Sequence, residues 1–277
     1  MSGRVVKGRV LIVAGSDSGG GAGLQADIKT VSALGGFAMT AVTAVTVQNT
    51  LGVFGIHEVP TAVVMQQMRA VLDDIGVDAL KTGMLHSAEI IEGVAATLDE
   101  FDIHVPLVVD PVMVAKGGAS LLEDDAIEAL KTYLIPRASV VTPNIPEAEA
   151  LTGMIIKSSD DQAKAGEKII AMGAKAALVK GGHMPGEQVV DMLVSVAGGR
   201  EKFSSPRIDT IHTHGTGCTL ASAIATNLAQ GRPLSLAVAR ARNYVYEAIR
   251  SAPGFGQGHG PLNHGHTLPD ELGPKDE

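Results

Sequence analysis

The sequence contains one cysteine, no tryptophan and only eight aromatic residues (five Phe, three Tyr) in 277 positions. A single cysteine makes no internal disulfide, which excludes a stapled secreted scaffold and fits a reducing compartment. Basic residues are the scarcer sign: 22 Lys and Arg against 30 Asp and Glu leave a net charge of −8. An acidic chain poor in aromatics lacks both the phosphate-neutralising charge and the stacking platforms of a nucleic-acid binder. Charged residues make up 19% of the chain and apolar ones 45%, which is globular rather than disordered. Two stretches carry no charge, Thr30 to Ile56 and Thr210 to Gly231. The first is broken by Gly, Gln, Asn and Thr and the second by Thr, His and Gly, too polar for a membrane span of about 20 predominantly apolar residues. Met1 to Arg9 lacks the apolar centre of a signal peptide, and Val10 to Ala14 is too short to supply one. A cytoplasmic protein with no membrane or nucleic-acid partner is expected.

Strand-length apolar runs alternate with helix-period segments. Strands are predicted at 10–14, 41–47, 78–81, 107–110, 139–142 and 176–180, with a hairpin of 192–196 and 201–203 around Gly198-Gly199. Helices are predicted at 23–34, 61–75 with Thr61 as N-cap, 87–99 with a cap, 123–133, 160–172, 217–230 and 234–250. Uncharged β-branched runs such as Ala41 to Val47 suit strands buried on both faces of a parallel sheet. The alternation implies an α/β fold: a mostly parallel central sheet with helices on both faces, in a single domain. The core is expected to run from about residue 10 to 266, with termini that fray, the tail from Lys275 included.

Sites in such folds lie at the carboxyl ends of strands. There the chain places Gly15-Ser16-Asp17, Gln48-Asn49, Gly83-Met84, Asp110-Pro111, Asn144 and Lys180-Gly181-Gly182. The run GSDSGGGAG from Gly15 to Gly23 is not a P-loop, since no Lys-Ser/Thr follows its last Gly. Asp27, just inside the next helix, can accept from a substrate hydroxyl. HTHGTGC, from His212 to Cys218, puts small residues at a helix start. Free N–H groups and the helix dipole make that an anion site suited to phosphate. Cys218 would sit in the first turn, where a thiol is expected below its ordinary pKa of about 8.5; the alternative is a buried structural cysteine. The carboxylate of Glu147 near the Asn144 amide can hold Mg²⁺ through water, or Glu147 can simply favour the N-terminus of a following helix. Lys180 at a strand end suits a nucleotide phosphate, or is merely solvated. The pairs His212/His214 and His264/His266, with His259 nearby, lack the Cys or acidic partner of a metal cluster.

Taken together, AGSDSGGGAGLQADIKT, TAVTVQNT, KTGML, VVDPVM, TPNIPEAEALTG, VKGGH and HGTGCTLASAIA, in that order, are similar to the hydroxymethylpyrimidine kinase/phosphomethylpyrimidine kinase family of thiamine biosynthesis. That family lies in the ribokinase-like superfamily. The resemblance implies a three-layer α/β/α sandwich, a homodimer, and use of ATP and Mg²⁺. It implies phosphorylation of the hydroxymethyl group of 4-amino-5-hydroxymethyl-2-methylpyrimidine, then of the monophosphate. By the same resemblance Gln48 hydrogen-bonds the aminopyrimidine, Asp27 lies near it, and Gly15, Met84 and Val112 line its pocket. Gly215, Thr216 and Gly217 form the anion hole for the transferred phosphoryl. Asn144 and Glu147 organise Mg²⁺. Lys180, Thr213 and Asn144 contact the nucleotide, and Cys218 takes the place of the Asp base of sugar-kinase relatives. Two departures from the family's pattern stand out. Ser16-Asp17-Ser18-Gly19 replaces the usual Thr-Asp-Pro-Ser, and Gln257 stands where a Lys is common. Both are expected to weaken phosphate contacts and to leave more of that load on Lys180. A pyridoxal/pyridoxine kinase on the same fold, and a non-catalytic pyrimidine sensor, are the competing expectations.

Overall fold

The computed structural model describes residues 6–113 and 124–268. The apolar runs become strands β1 Arg9–Ser16, β2 Phe37–Asn49, β3 Gly52–Glu58, β4 Ala79–Thr82, β5 Leu107–Val109, β6 Val140–Val141, β7 Ala176–Val179, β8 Gln188–Ser195 and β9 Gly199–Pro206. The helices are α1 Gly23–Ala33, α2 Thr61–Asp74, α3 Ala88–Glu100, α4 Asp124–Ala129, α5 Ile145–Thr152, α6 Ser159–Ala171, α7 Thr216–Ala229 and α8 Leu234–Arg250. All described strands join one sheet in the order β3-β2-β1-β4-β5-β6-β7-β8-β9. From β2 to β7 the pairing is parallel; β3 at one edge and the β8–β9 hairpin at the other are antiparallel.

Period-two alternation divides β1 between two cores. Val10, Ile12 and Ala14 pack toward α1, α7 and α8, while Leu11 and Val13 pack toward α2, α3 and α4. All five side chains are fully buried, and each large one contributes about 1.5–3 kcal/mol by leaving water. The result is the expected ribokinase-like three-layer arrangement. Strand order reverses beside β1, where the chain passes first to β2 and later returns to β4. The carboxyl ends of β1 and β4 therefore open a crevice at the topological switch point. Among the described residues no helix is long and apolar enough to cross a membrane.

Several local expectations are corrected. β3 was not anticipated, because GVFGIHE has two glycines and no apolar period; it forms by folding back on β2, with Val47 opposite Gly55 and Asn49 opposite Gly52. The helix expected over 123–133 begins outside the described residues at Glu123. Its α-helical part stops at Ala129 and continues as a π turn, Leu130–Leu134, and a 3₁₀ turn, Ile135–Arg137. Pro136 offers no N–H to extend it. Thr61 does not cap α2: Pro60 occupies that position. Ser87 does precede α3, but its hydroxyl donates to Glu58 at 3.0 Å rather than capping the helix. The tail from Lys275 lies outside the described residues.

One buried ion pair ties three elements together below the crevice. Lys81 of β4 donates to Asp27 of α1 at 2.9 Å, and both side chains are wholly enclosed. Ser222 of α7 donates to the other Asp27 oxygen at 2.6 Å. Enclosed charges persist only when paired and hydrogen-bonded, and removing one partner strands the other. Lys81→Met is therefore expected to lower stability by about 3–5 kcal/mol. Adding Asp27→Leu to that variant is expected to restore part of the loss. Urea unfolding midpoints measure both effects, and an unchanged midpoint for Lys81→Met would contradict the account.

Candidate functional site

The loop after β1 winds around the carboxylate of Asp17. That group accepts N–H donors from Gly19 at 2.8 Å, Gly21 at 3.1 Å and Ala22 at 2.8 Å, and lies 2.8 Å from His214 Nε2. Burial alone raises an acid's pKa, but the His214 ring and the N–H groups of Ala22 and Gly19 overcome it and hold Asp17 below the usual carboxylate range. The loop also needs glycine at position 23: its φ is +53°, and a Cβ there would meet the Gly15 carbonyl at 2.5 Å.

Beside this loop the apolar residues named from the sequence converge. Gly15 abuts the Met84 methyl, and Met84 packs with Ala44, Ile56 and Val112. Gln48 closes one side. Its side-chain amide has Thr46 Oγ1 at 3.2 Å and His214 Nε2 at 3.3 Å, and its backbone is tied to Ser18.

The start of α7 presses against the same loop. Gly215 caps the helix with φ +81°, and a Cβ on it would overlap the Gly21 carbonyl. Thr213 completes the turn, its carbonyl accepting from the Thr216 hydroxyl at 2.7 Å. Next to the turn stand opposite charges. A Cβ on Gly217 would lie 3.4 Å from Lys180 Nζ and 3.7 Å from Asp110 Oδ2. Lys180 donates to Asp110 at 3.0 Å and has Glu147 at 3.9 Å, and Thr142 donates to Asp110 at 3.0 Å. Burial works against the Lys180 ammonium, but Asp110 and Glu147 outweigh it and raise its pKa.

Asn144 and Glu147 form a reciprocal capping box at the start of α5: Asn144 N–H donates to Glu147 at 2.7 Å and Glu147 N–H to Asn144 Oδ1 at 2.9 Å. The helix-start reading of Glu147 thus holds in full. Burial pushes its carboxyl up to about 7; Asp110 adds to the rise, while Lys180 and the Asn144 and Met113 N–H groups oppose it. A buried carboxyl of that kind, beside Asp110 and the Asn144 amide, is short of positive charge. The donor set, carboxylate and amide oxygens, fits a hydrated Mg²⁺.

Two residues behave differently from expectation. Cys218 does sit in the first turn of α7, but its thiol is raised rather than lowered. Desolvation pushes it up to about 11; the Asp27 and Asp110 carboxylates add to this, and Lys81 and the Gly23 N–H oppose it. Surrounding atoms and acids outweigh the helix dipole. Asp27 offers no surface to a substrate hydroxyl, since Lys81 and Ser222 hold its two oxygens. It acts one layer below the pocket.

Asp17, His214, Asp110 and Lys81 are the residues that sequence reasoning undervalued. Asp17 and Asp110 were visible only as strand-end residues. Lys81, a charge inside the apolar run ALKT, was the available signal for a buried pair. The other histidines disperse. His264 lies 3.0 Å from the Thr219 hydroxyl and is pushed down to about 4 by burial, with Lys29 and His266 adding to the fall. His266 packs on Tyr244 with ring centroids 4.6 Å apart. Among the described residues no cluster of His, Cys, Asp and Glu is arranged to hold a metal by itself.

Comparison with known proteins adds names to this geometry. The profile of the family described as phosphomethylpyrimidine kinase matches residues 17–263. The chain is 50% identical to the hydroxymethylpyrimidine/phosphomethylpyrimidine kinase of Bacillus subtilis over 92% of its own length and 94% of that protein's. It is 55% identical to the thiamine biosynthesis bifunctional protein ThiED of Geobacter sulfurreducens over 93% of its own length; it spans about half of that longer protein, 52%. The crystal structure of an ADP complex of Bacillus subtilis pyridoxal kinase superposes with a TM-score of 0.85 at 36% identity, covering 93% of this chain and 97% of that one.

Cys218 is the only cysteine in the chain, so alkylation followed by mass spectrometry reads this thiol alone. Because the thiolate is the reactive form, iodoacetamide at pH 7 is expected to react about a hundredfold or more slower than with free cysteine. The rate should climb about tenfold per pH unit toward pH 11. A plateau reached below pH 9 would contradict the raised thiol.

Proposed function

The chain belongs to the phosphomethylpyrimidine kinase family, and from that membership we propose that it transfers phosphate from ATP to the hydroxymethyl group of 4-amino-5-hydroxymethyl-2-methylpyrimidine and then adds a second phosphate to the monophosphate, two steps of thiamine biosynthesis. The observation that carries the reading is the meeting of the amide turn Gly215–Thr216–Gly217 with Lys180 and Asp110, on the same loop that packs an apolar cluster around Met84. It brings a phosphate site and a ring site into one crevice.

Gly15, Met84 and Val112 supply a floor for a flat ring, and Gln48 reads its polar edge. The N–H groups at the start of α7 take up charge on the moving phosphoryl group. Lys180 neutralises phosphate oxygens, which frees Asp110 and Glu147 to face a metal. Mg²⁺, held largely through water by Asp110, Glu147 and Asn144, would supply charge neutralisation on the nucleotide phosphates. The glycines at 215 and 217 keep the turn open to that anion. Thr213, in the turn before α7, is proposed to contact the nucleotide.

Cys218 stays a neutral thiol at pH 7, so it is a poor base in the resting site. Phosphoryl transfer asks little of a base, because the hydroxyl keeps its proton until late in a loose transition state. In the second step the attacking phosphate oxygen is already anionic, and the demand disappears. Greater identity with the pyrimidine kinase than with the pyridoxal kinase of the same organism ranks the pyridoxal reading second. A second copy of the chain is the proposed cover for the β2–β3 edge, where Val47, Leu51 and Phe54 are each at least 60% exposed.

ADP release with the hydroxymethylpyrimidine, and separately with its monophosphate, tests the activity. Turnover is expected with both, and with neither the reading is removed; a higher kcat/KM for pyridoxal would promote the second reading. Cys218→Ala is expected to slow the two phosphorylations little and equally, since a neutral thiol takes no proton from the hydroxyl; a loss confined to the first step would show that the thiol handles that proton after all. Light scattering at assay concentration should read a dimer; a monomer would refute the proposed cover.

A further inference from the structure

We infer that His214 fixes which way round the Gln48 side-chain amide stands, and so makes the pocket prefer a ring with an amino group beside a ring nitrogen over the corresponding oxo ring. The identity of the ring rests on the kinase reading above; the orientation of the amide rests on counting hydrogens.

The carboxylate of Asp17 is a pure acceptor, and it already takes three backbone N–H groups. His214 Nε2 lies 2.8 Å from Asp17 Oδ2, with the ring buried. Two acceptors do not bond to each other, so Nε2 carries the hydrogen. An N–H nitrogen of a histidine has no lone pair left to accept with. That one hydrogen is already committed to Asp17, so Nε2 gives Gln48 no second full hydrogen bond; what it does is refuse the NH₂, which finds no acceptor there, so the amide oxygen is the group that belongs 3.3 Å from this positively polarised N–H.

The opposite end of the amide selects the same answer independently. Thr46 Oγ1 is 2.7 Å from the Ser16 carbonyl, which can only accept, and the hydroxyl spends its one hydrogen there. Toward Gln48, at 3.2 Å, Thr46 can only accept. The NH₂ of Gln48 belongs on that side. Side-chain amide oxygen and nitrogen are told apart by their partners, not by their shape. Here both partners require the carbonyl toward His214 and the NH₂ toward Thr46.

Locked in this way, the amide keeps one N–H and one carbonyl lone pair unclaimed. An adjacent donor and acceptor match a ring nitrogen that accepts and an exocyclic amino group that donates. An oxo ring in its N–H form presents the reverse order. A freely turning amide would serve both rings equally; an amide that is bonded at the Thr46 end and excludes its NH₂ at the His214 end serves one. His214 is thus a positioning residue that acts on substrate through Gln48, and Asp17 sets its tautomer. A site whose polar groups are committed rejects a mismatched partner more strongly than apolar contacts do.

The test compares kcat/KM for the 4-amino pyrimidine and its 4-oxo counterpart, using the whole chain. The wild type should strongly favour the amino ring. His214→Leu removes the N–H that turns the NH₂ away and should narrow that preference about tenfold or more, chiefly through KM for the amino ring. His214→Gln, which returns an N–H near the Nε2 position, should restore most of it. Thr46→Val removes the acceptor at the other end with almost no change in shape and should narrow the preference likewise, which keeps the inference testable if a His214 variant fails to fold. An unchanged ratio in folded His214→Leu and Thr46→Val would overturn it, as would equal losses on both rings. A wild type that phosphorylates neither pyrimidine would bring down the kinase reading and this inference together, whereas a working wild type with unaltered ratios in the variants would bring down this inference alone.

Discussion

The carboxylate of Asp17 gathers three backbone N–H groups from its own loop and the ring of His214, 197 residues further along the chain. Through that contact the loop after β1 and the start of α7 become one surface. The Gly21 carbonyl lies against Gly215 so closely that no side chain fits between them. The phosphate-type turn and the apolar pocket depend on this seam, because each side contributes half of the crevice. A carboxylate suits that position because it accepts several bonds at once, and ionised acceptors make the stronger ones.

Below the seam runs a chain of alternating charges, Asp27 with Lys81 and then Asp110 with Lys180 and Glu147. Its acids outnumber its ammonium groups. Burial first, and the neighbouring carboxylates second, push the Glu147 carboxyl up to about 7 and the Cys218 thiol up to about 11. A divalent cation arriving with its nucleotide would relieve Glu147 most directly. Cys218 is quiet by the same logic, and a quiet thiol suits a crevice whose chemistry rests on positioning and charge rather than on a strong base.

Much of this was visible along the chain, for identifiable reasons. Val10 to Ala14 was legible as a strand because nothing polar interrupts it, and the strand expected over Ala176 to Lys180 forms over Ala176–Val179. Leu234–Arg250 was anticipated to the residue, because its apolar face repeats with helical period between Pro233 and Ser251. β3 was hidden, since its pairing comes from β2 rather than from a pattern of its own. For Glu147 the sequence left a metal site and a helix start open, and the structure shows the helix start, with Asn144 as its unanticipated cap. Asp27 was misjudged: its position one turn inside α1 says nothing of the lysine on β4 that claims it.

Apart from β3, the order of strands, the long helices, the buried sheet, the glycine-rich turns and the family were already present in the amino-acid sequence, since each depends on local period, on turn chemistry or on an ordered set of motifs. The direction in which Cys218 titrates, the pairing of Lys81 with Asp27, the hold of Asp17 on His214 and the orientation of Gln48 were decided only by tertiary structure. These depend on which groups stand within about 4 Å of one another, where desolvation and Coulomb forces are strongest. Groups so placed come from strands and helices far apart in the chain, and linear spacing carries no record of that distance.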